Sequence, residues 1–229
     1  MEFATHPDRV VRRLTIGGEQ APLLVIDNAA PNADELFELA ASKVYSDVPT
    51  YYPGVRAKAP LSYQRFVLEQ FHPLFVEFFG LIGKTLRFTA CHFSLVTTPP
   101  DRLEHLQRIP HIDSRSGSEL AFVHYLFKQD LGGTAFYRHR KTGFEFVDHA
   151  RAKHYFEVVE LENNGPDKAP LAYINGDTRL YEQIGQQAGV FNRMLVYRRN
   201  TLHSASIGSA FVPDANPRTG RLSINGFLA

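Results

Sequence analysis

The stretch TLRFTACHFSLVTT, residues 85–98, is where the texture of the chain changes. β-Branched and aromatic residues dominate it, and similar short runs follow: ELAFVHYLFK (119–128), GTAFYRHR (133–140), GFEFVD (143–148), LAYING (171–176), RMLVYRRN (193–200) and RLSINGFL (221–228). Turn sequences such as LGG, KTG and NNGPDKAP punctuate them, which is the signature of many short strands. One helix over about 149–162, HARAKHYFEVVELE, interrupts the series, and helix-capable pieces around 178–188 form a second interruption.

Upstream the pattern differs. PLLVIDN (22–28) reads as a strand, and PNADELFELAASKV (31–44) as a helix capped by Asn32 or Asp34, with Leu36, Leu39 and Ala40 as its apolar stripe. YYPGVRAKAP (51–60) reads as a Pro/Gly loop. LSYQRFVLEQFHPLFVEFFGLIG (61–83) is apolar at helical spacing and is expected to be two helical pieces split at Pro73. The expectation is a mainly β (α+β) chain with a closed or sandwiched β core, and a jelly-roll barrel fits. Residues 1–84 would give helical N-terminal support and 85–229 the core, together one domain over 1–229.

Composition narrows the function. The 229 residues are 44% hydrophobic, with 18 Phe, 10 Tyr and no Trp. A formal net charge of +1 gives no electrostatic reason to expect nucleic acid or an anionic membrane. Basic clusters in YRHRKTG (137–143) and YRRN (197–200) read as solvated faces. The single cysteine, Cys91, cannot form an internal disulfide and reads as a small buried hydrophobe. No signal peptide or membrane-spanning run is visible, so a cytoplasmic protein is expected.

The chemistry concentrates in RIPHIDSRSG (108–117). In an extended segment positions i and i+2 share a face, so His111 and Asp113 can converge on one point. A third ligand lies 92 residues downstream in NRMLVYRRNTLHSASI (192–207), where His203 follows a buried-looking strand and a turn. Two imidazoles and one carboxylate on one face, with other positions open, match non-haem Fe(II) oxygenases. His139, His149 and His154 are weaker candidates, because 149 and 154 are five apart rather than four. His124 reads as packed and hydrogen-bonded, and Gly132–Gly133 as a structural turn.

From residue 85 onward the chain resembles the Fe(II)/2-oxoglutarate-dependent oxygenases, especially their prolyl-4-hydroxylase-like branch. In that family an HxD motif precedes an apolar strand, a Gly-Gly-x-Thr-like turn, a distal His after a strand, and a late Arg. This sequence offers HID (111–113), FVHYLFKQDLGGTAFY (122–137), LVYRRNTLH (195–203) and GRLSINGFL (220–228) in that order. YPGVR and GGTAFYRHR also resemble signatures of an uncharacterised bacterial family of this fold. The resemblance implies a double-stranded β-helix in which His111, Asp113 and His203 hold Fe(II). Arg221 would grip the distal carboxylate of 2-oxoglutarate, and Ser223, same-facing, would add a hydroxyl. O₂ would be the co-reactant.

Two departures from the branch are visible. The gap from His203 to Arg221 is 18 residues, longer than usual, and contains a rival, Arg218. No tyrosine stands just before HxD to touch the cosubstrate, which leaves Thr97, Thr98 or Ser94 for that contact. Asp113 itself favours hydroxylation, since the iron-dependent halogenases of the superfamily lack the carboxylate. The implied activity is hydroxylation of an unactivated C–H bond in an amino acid, peptide or small metabolite. A non-catalytic metal- or ligand-binding module, as sensor or scaffold, is the alternative. Loops 45–60, 99–108 and 208–219 are expected to rim the site. Tyr52, Arg56 and Arg138 could reach a substrate, although exposed loop residues of these types are mostly uninvolved. A homodimer is compatible with the pattern but not required by it.

Overall fold

A computed structural model describes residues 5–47, 51–166 and 168–229. Eleven strands and three α-helices follow in the order β1 (Val10–Ile16), β2 (Ala21–Asp27), α1 (Ala33–Ala41), β3 (Ser46–Asp47), β4 (Gly54–Lys58), α2 (Leu61–Phe78), β5 (Phe88–Val96), β6 (Leu120–Tyr125), β7 (Gly133–His139), α3 (His149–Asn163), β8 (Tyr181–Ala188), β9 (Met194–Arg198), β10 (His203–Ser206) and β11 (Leu222–Leu228). The larger sheet has the order β1-β2-β9-β6-β11-β5-β4-β3 and the smaller β10-β7-β8, with every pairing antiparallel.

Alternation along the strands of the large sheet separates two environments. In β11, Leu222, Ile224 and Leu228 join the helices in one core, together with Phe93 and Leu95 of β5. Ser223, Asn225 and Phe227 point to the opposite side, into a cavity. Between the sheets, Leu23, Val25, Tyr125, Leu195 and Tyr197 meet Phe136 of β7 in a second core. The third core lies beneath α3, where Ala152, Tyr155 and Val159 pack on Tyr137, Tyr181 and Leu202.

The N-terminal segment does more than buttress. Its helices cover the outer face of the large sheet, but β1 to β4 extend that sheet at both edges. Their short β-branched runs pair with β9 and β5 across large sequence separations, which local helical periodicity cannot reveal.

Helix α2 is one piece rather than two. Pro73 lies on its exposed face, as does Glu69, whose carbonyl the missing N–H would have satisfied, so solvent serves that carbonyl instead. On the inner face Tyr63, Phe66, Val67, Phe71 and Phe75 are buried. Each contributes roughly 1.5–3 kcal/mol, enough to outweigh the proline. Helix α3 starts at Asp148, whose carboxylate accepts the Arg151 amide at 2.9 Å.

Residues 181–188 form an edge strand, not a helix. Only β7 pairs with β8, so its outward side chains are polar, and this polarity mimics a helix surface in the sequence. GFEFVD contributes a single bridge, Phe146 to Thr201, and LAYING no strand. No helix among the described residues is long and apolar enough to cross a membrane.

Candidate metal centre

His111 and His203 lie opposite each other as an isolated antiparallel bridge that prolongs the small sheet beyond β10. Each amide donates to the other's carbonyl, at 2.9 and 3.0 Å. Their rings are 4.4 Å apart, centre to centre. Asp113, two residues on, returns to the same side. Its amide donates to the Arg199 carbonyl at 2.8 Å, and the Arg199 guanidinium donates back to the Asp113 carbonyl at 2.9 Å. Glu119 pairs with Arg199 at 2.7 Å, so the segment is pinned to the turn after β9.

The ligand atoms of His111, Asp113 and His203 all lie within 4.8 Å of one another, the only such group among the described residues. His203 Nδ1 is 2.9 Å from the Thr201 carbonyl. A carbonyl can only accept, so Nδ1 carries the proton and Nε2 presents its lone pair. That lone pair is 3.5 Å from Asp113 Oδ2, while His111 Nε2 is 3.9 Å from Oδ1. His111 is about half exposed, but its open side faces the cavity rather than bulk solvent. Burial, and then the neighbouring His203, push its pKa down to about 4 against the pull of Asp113. It is therefore neutral at pH 7. The His203 lone pair and the Asp113 carboxylate converge beside a neutral His111 ring, a donor set suited to a cation.

A cavity of about 480 Å³ opens from this cluster between the sheets. Arg221, just before β11, reaches it from the side of the large sheet and is almost fully buried. Its Nε donates to the Leu131 carbonyl at 3.0 Å and one Nη to the Gly133 carbonyl at 2.7 Å, which fixes the guanidinium plane. Gly132 makes this possible: φ is +84°, and a Cβ there would stand 2.0 Å from the Ser206 carbonyl oxygen. Ser223 lines the same cavity. Arg218 does not; it is exposed and forms a two-oxygen pair with Glu38 of α1, at 2.6 and 2.5 Å.

Of the three residues expected to be able to reach a substrate, two do line the cavity. Tyr52, just before β4, and Arg56, within it, both line the cavity, with the Arg56 guanidinium 4.2 Å above the Tyr52 ring. The Tyr52 hydroxyl faces Ser94, Ser223 and both guanidiniums; burial nevertheless raises its pKa, so it remains a neutral phenol able to donate. Of Thr97, Thr98 and Ser94, Ser94 meets the Tyr52 hydroxyl but does not itself line the cavity. Thr97 and Thr98 instead give their amides to the Pro53 carbonyl. Arg138 is elsewhere, paired with Glu145 and Glu182, and the loop residues 48–50 lie outside the described residues. Of the two basic clusters, 197–200 is not a solvated face: Arg198 donates to the Phe79 and Gly117 carbonyls and Arg199 braces Asp113, whereas Arg140 and Lys141 of the other are exposed.

The remaining histidines have structural roles or none at this site. His139 is buried between Glu162 and Thr142, each at 2.9 Å. His124 sits between the Tyr63 hydroxyl at 2.8 Å and the Asn192 amide oxygen at 3.0 Å.

Two antiparallel sheets packed on each other, with two histidines and an aspartate clustered at one end of the smaller, define a β protein with a candidate metal site. The chain belongs to a family of unknown function, DUF6445, whose model matches residues 7–228. Among curated proteins none matches the sequence. Solved structures with a similar fold include the non-heme alpha ketoglutarate dependent epimerase SnoN from nogalamycin biosynthesis (12% identity, 92% of this chain and 78% of that one, TM-score 0.49). HygX from Streptomyces hygroscopicus, with nickel and 2-oxoglutarate bound, is similar at 11% identity, 92% and 84% coverage and TM-score 0.49. A Pseudomonas putida prolyl-4-hydroxylase is similar at 14% identity, 92% and 93% coverage and TM-score 0.43.

Proposed function

We propose that this protein is an Fe(II)- and 2-oxoglutarate-dependent dioxygenase that hydroxylates an unactivated C–H bond of a small molecule or peptide. The two sheets are then the halves of a double-stranded β-helix. From β5 onward the chain crosses between them at each step except β7 to β8: β5, β6, β9 and β11 lie in the large sheet, while the His111 bridge, β7, β8 and β10 lie in the small one. His111, Asp113 and His203 are the protein ligands to the metal. The observation that carries this reading is the His203 tautomer, fixed by Thr201 so that a lone pair faces Asp113 at 3.5 Å.

When bound, the iron and 2-oxoglutarate supply the oxidising chemistry, by coupling decarboxylation of the keto acid to activation of O₂. The chain supplies orientation and charge. Arg221, held by two carbonyls, presents a planar cation suited to bidentate pairing with a carboxylate. Ser223 and the Tyr52 phenol add hydroxyls beside it. Tyr197 packs against His203, 4.6 Å between ring centres, and keeps that ligand from turning.

Release of succinate from 2-oxoglutarate, followed by NMR in air with added Fe(II), tests the proposal. The wild type is expected to form succinate, and His111→Ala or His203→Ala to abolish it. Wild-type turnover in either variant would refute the assigned ligands.

A further inference from the structure

The cavity holds a second guanidinium, Arg56, besides that of Arg221. Arg56 pairs in register with Ser94, and Ser94 with Ser223, so one cross-strand row puts the three side chains on one face, from which Arg56 and Ser223 line the cavity. The Tyr52 ring covers one face of the guanidinium, and Arg56 Nε is buried with no hydrogen-bond partner. A guanidinium stays charged at any pH a protein survives, and a buried, unmet donor on it is costly unless a ligand completes it. The only carboxylate whose charge reaches Arg56 is Asp113, which the metal engages.

Charge balance points the same way. Among the described residues that line the cavity, Asp113 is the only carboxylate and Arg56 and Arg221 the only permanent cations. A divalent ion and Arg221 are balanced by Asp113 and the two carboxylates of 2-oxoglutarate. Arg56 is the charge left over. It is also close enough for His111 and Asp113 to feel its charge, whereas Arg221 lies over Tyr125 and Phe127. Across the cavity, Leu106 and Ile109 with Tyr155, Phe156 and Val159 of α3 form an apolar wall.

We propose, building on the function given above, that Arg56 recognises a carboxylate on the substrate, which is therefore a monoanion with an apolar or aromatic body. Arg56 sets specificity and takes no part in holding metal or 2-oxoglutarate.

The test uses phenylacetate and its uncharged counterpart phenylacetamide as probes, titrated by ligand-observed NMR into metal-free protein. The wild type should prefer the anion by about tenfold, as one charge-assisted hydrogen bond gives. Arg221→Gln should keep that preference, Arg56→Gln should lose it, and Arg56→Lys should retain part of it. In a second arm, Ni(II)-loaded protein is titrated with 2-oxoglutarate by calorimetry. Arg56→Gln should bind within about twofold of wild type and Arg221→Gln at least about tenfold more weakly, again one charge-assisted bond. An anion preference missing from the wild type or surviving in Arg56→Gln overturns the proposal, as does loss of 2-oxoglutarate affinity in Arg56→Gln. If the wild type binds no 2-oxoglutarate at all, the dioxygenase reading fails, while the first arm still decides whether Arg56 selects an anion.

Discussion

His124 shows how much one buried side chain can govern. Asn192 is oriented by Ala30, whose amide donates to Oδ1 at 2.9 Å and whose carbonyl accepts from Nδ2 at 2.8 Å. Oδ1 is thus an acceptor, His124 Nε2 donates to it, and Nδ1 must accept from the Tyr63 hydroxyl. The network needs a neutral ring, and burial pushes the His124 pKa down to about 4 despite the bond to Asn192. In the unfolded chain the pKa returns to about 6.5. Between those values the unfolded state binds the proton and the folded state does not, so stability falls as pH drops from about 6.5 and the loss is complete near pH 4. By pH 5 this one group costs about 2 kcal/mol. Urea unfolding at pH 7 and pH 5 should show that loss in the wild type and a loss smaller by about that amount in His124→Asn. Equal losses in both proteins would remove His124 as the cause.

At the scale of elements, the turn between β6 and β7 decides whether Arg221 is aimed. Leu131 and Gly133 offer it their carbonyls only because Gly132 adopts a positive φ against the Ser206 backbone. Gly132→Ala combines left-handed strain with a main-chain clash. We expect it to cost at least about 2 kcal/mol of stability and to weaken 2-oxoglutarate binding. Thermal unfolding and calorimetry check both; a variant with wild-type values for each would separate the turn from the arginine.

The same scale explains what was legible beforehand. His111 with Asp113, and Arg221 with Ser223, each lie two apart on one extended segment, so spacing alone puts each pair on one face. Tyr52 and Arg56 reach the cavity because β4 pairs with β5, about forty residues onward, and no local pattern encodes that pairing. Pro73 misled for a related reason: its cost depends on whether Glu69 faces solvent, which only packing determines.

For the whole molecule, the large sheet divides labour between its faces. One carries the apolar residues that bury α1 and α2, and the other carries the polar row of the cavity. Substitutions on the first face should act on stability and those on the second on binding. Cys91 reports on the first face. It is buried beneath the helices, and burial pushes its thiol pKa up to about 12, so no thiolate forms in the folded state at pH 8. Iodoacetamide at pH 8 should leave the native protein unmodified and alkylate one site in urea. Rapid labelling of the native protein would mean that the helical layer opens without global unfolding.

We propose that His111, Asp113 and His203 hold a metal beside a 2-oxoglutarate site built on Arg221. The most direct measurement is an anaerobic titration of the metal-free protein with Fe(II) and 2-oxoglutarate, following the visible charge-transfer absorption of a chelated keto acid. A band that saturates at one equivalent of iron, is absent from His203→Ala and needs far more 2-oxoglutarate in Arg221→Gln is the predicted result. Iron bound by the wild type with no such band at any 2-oxoglutarate concentration would contradict it.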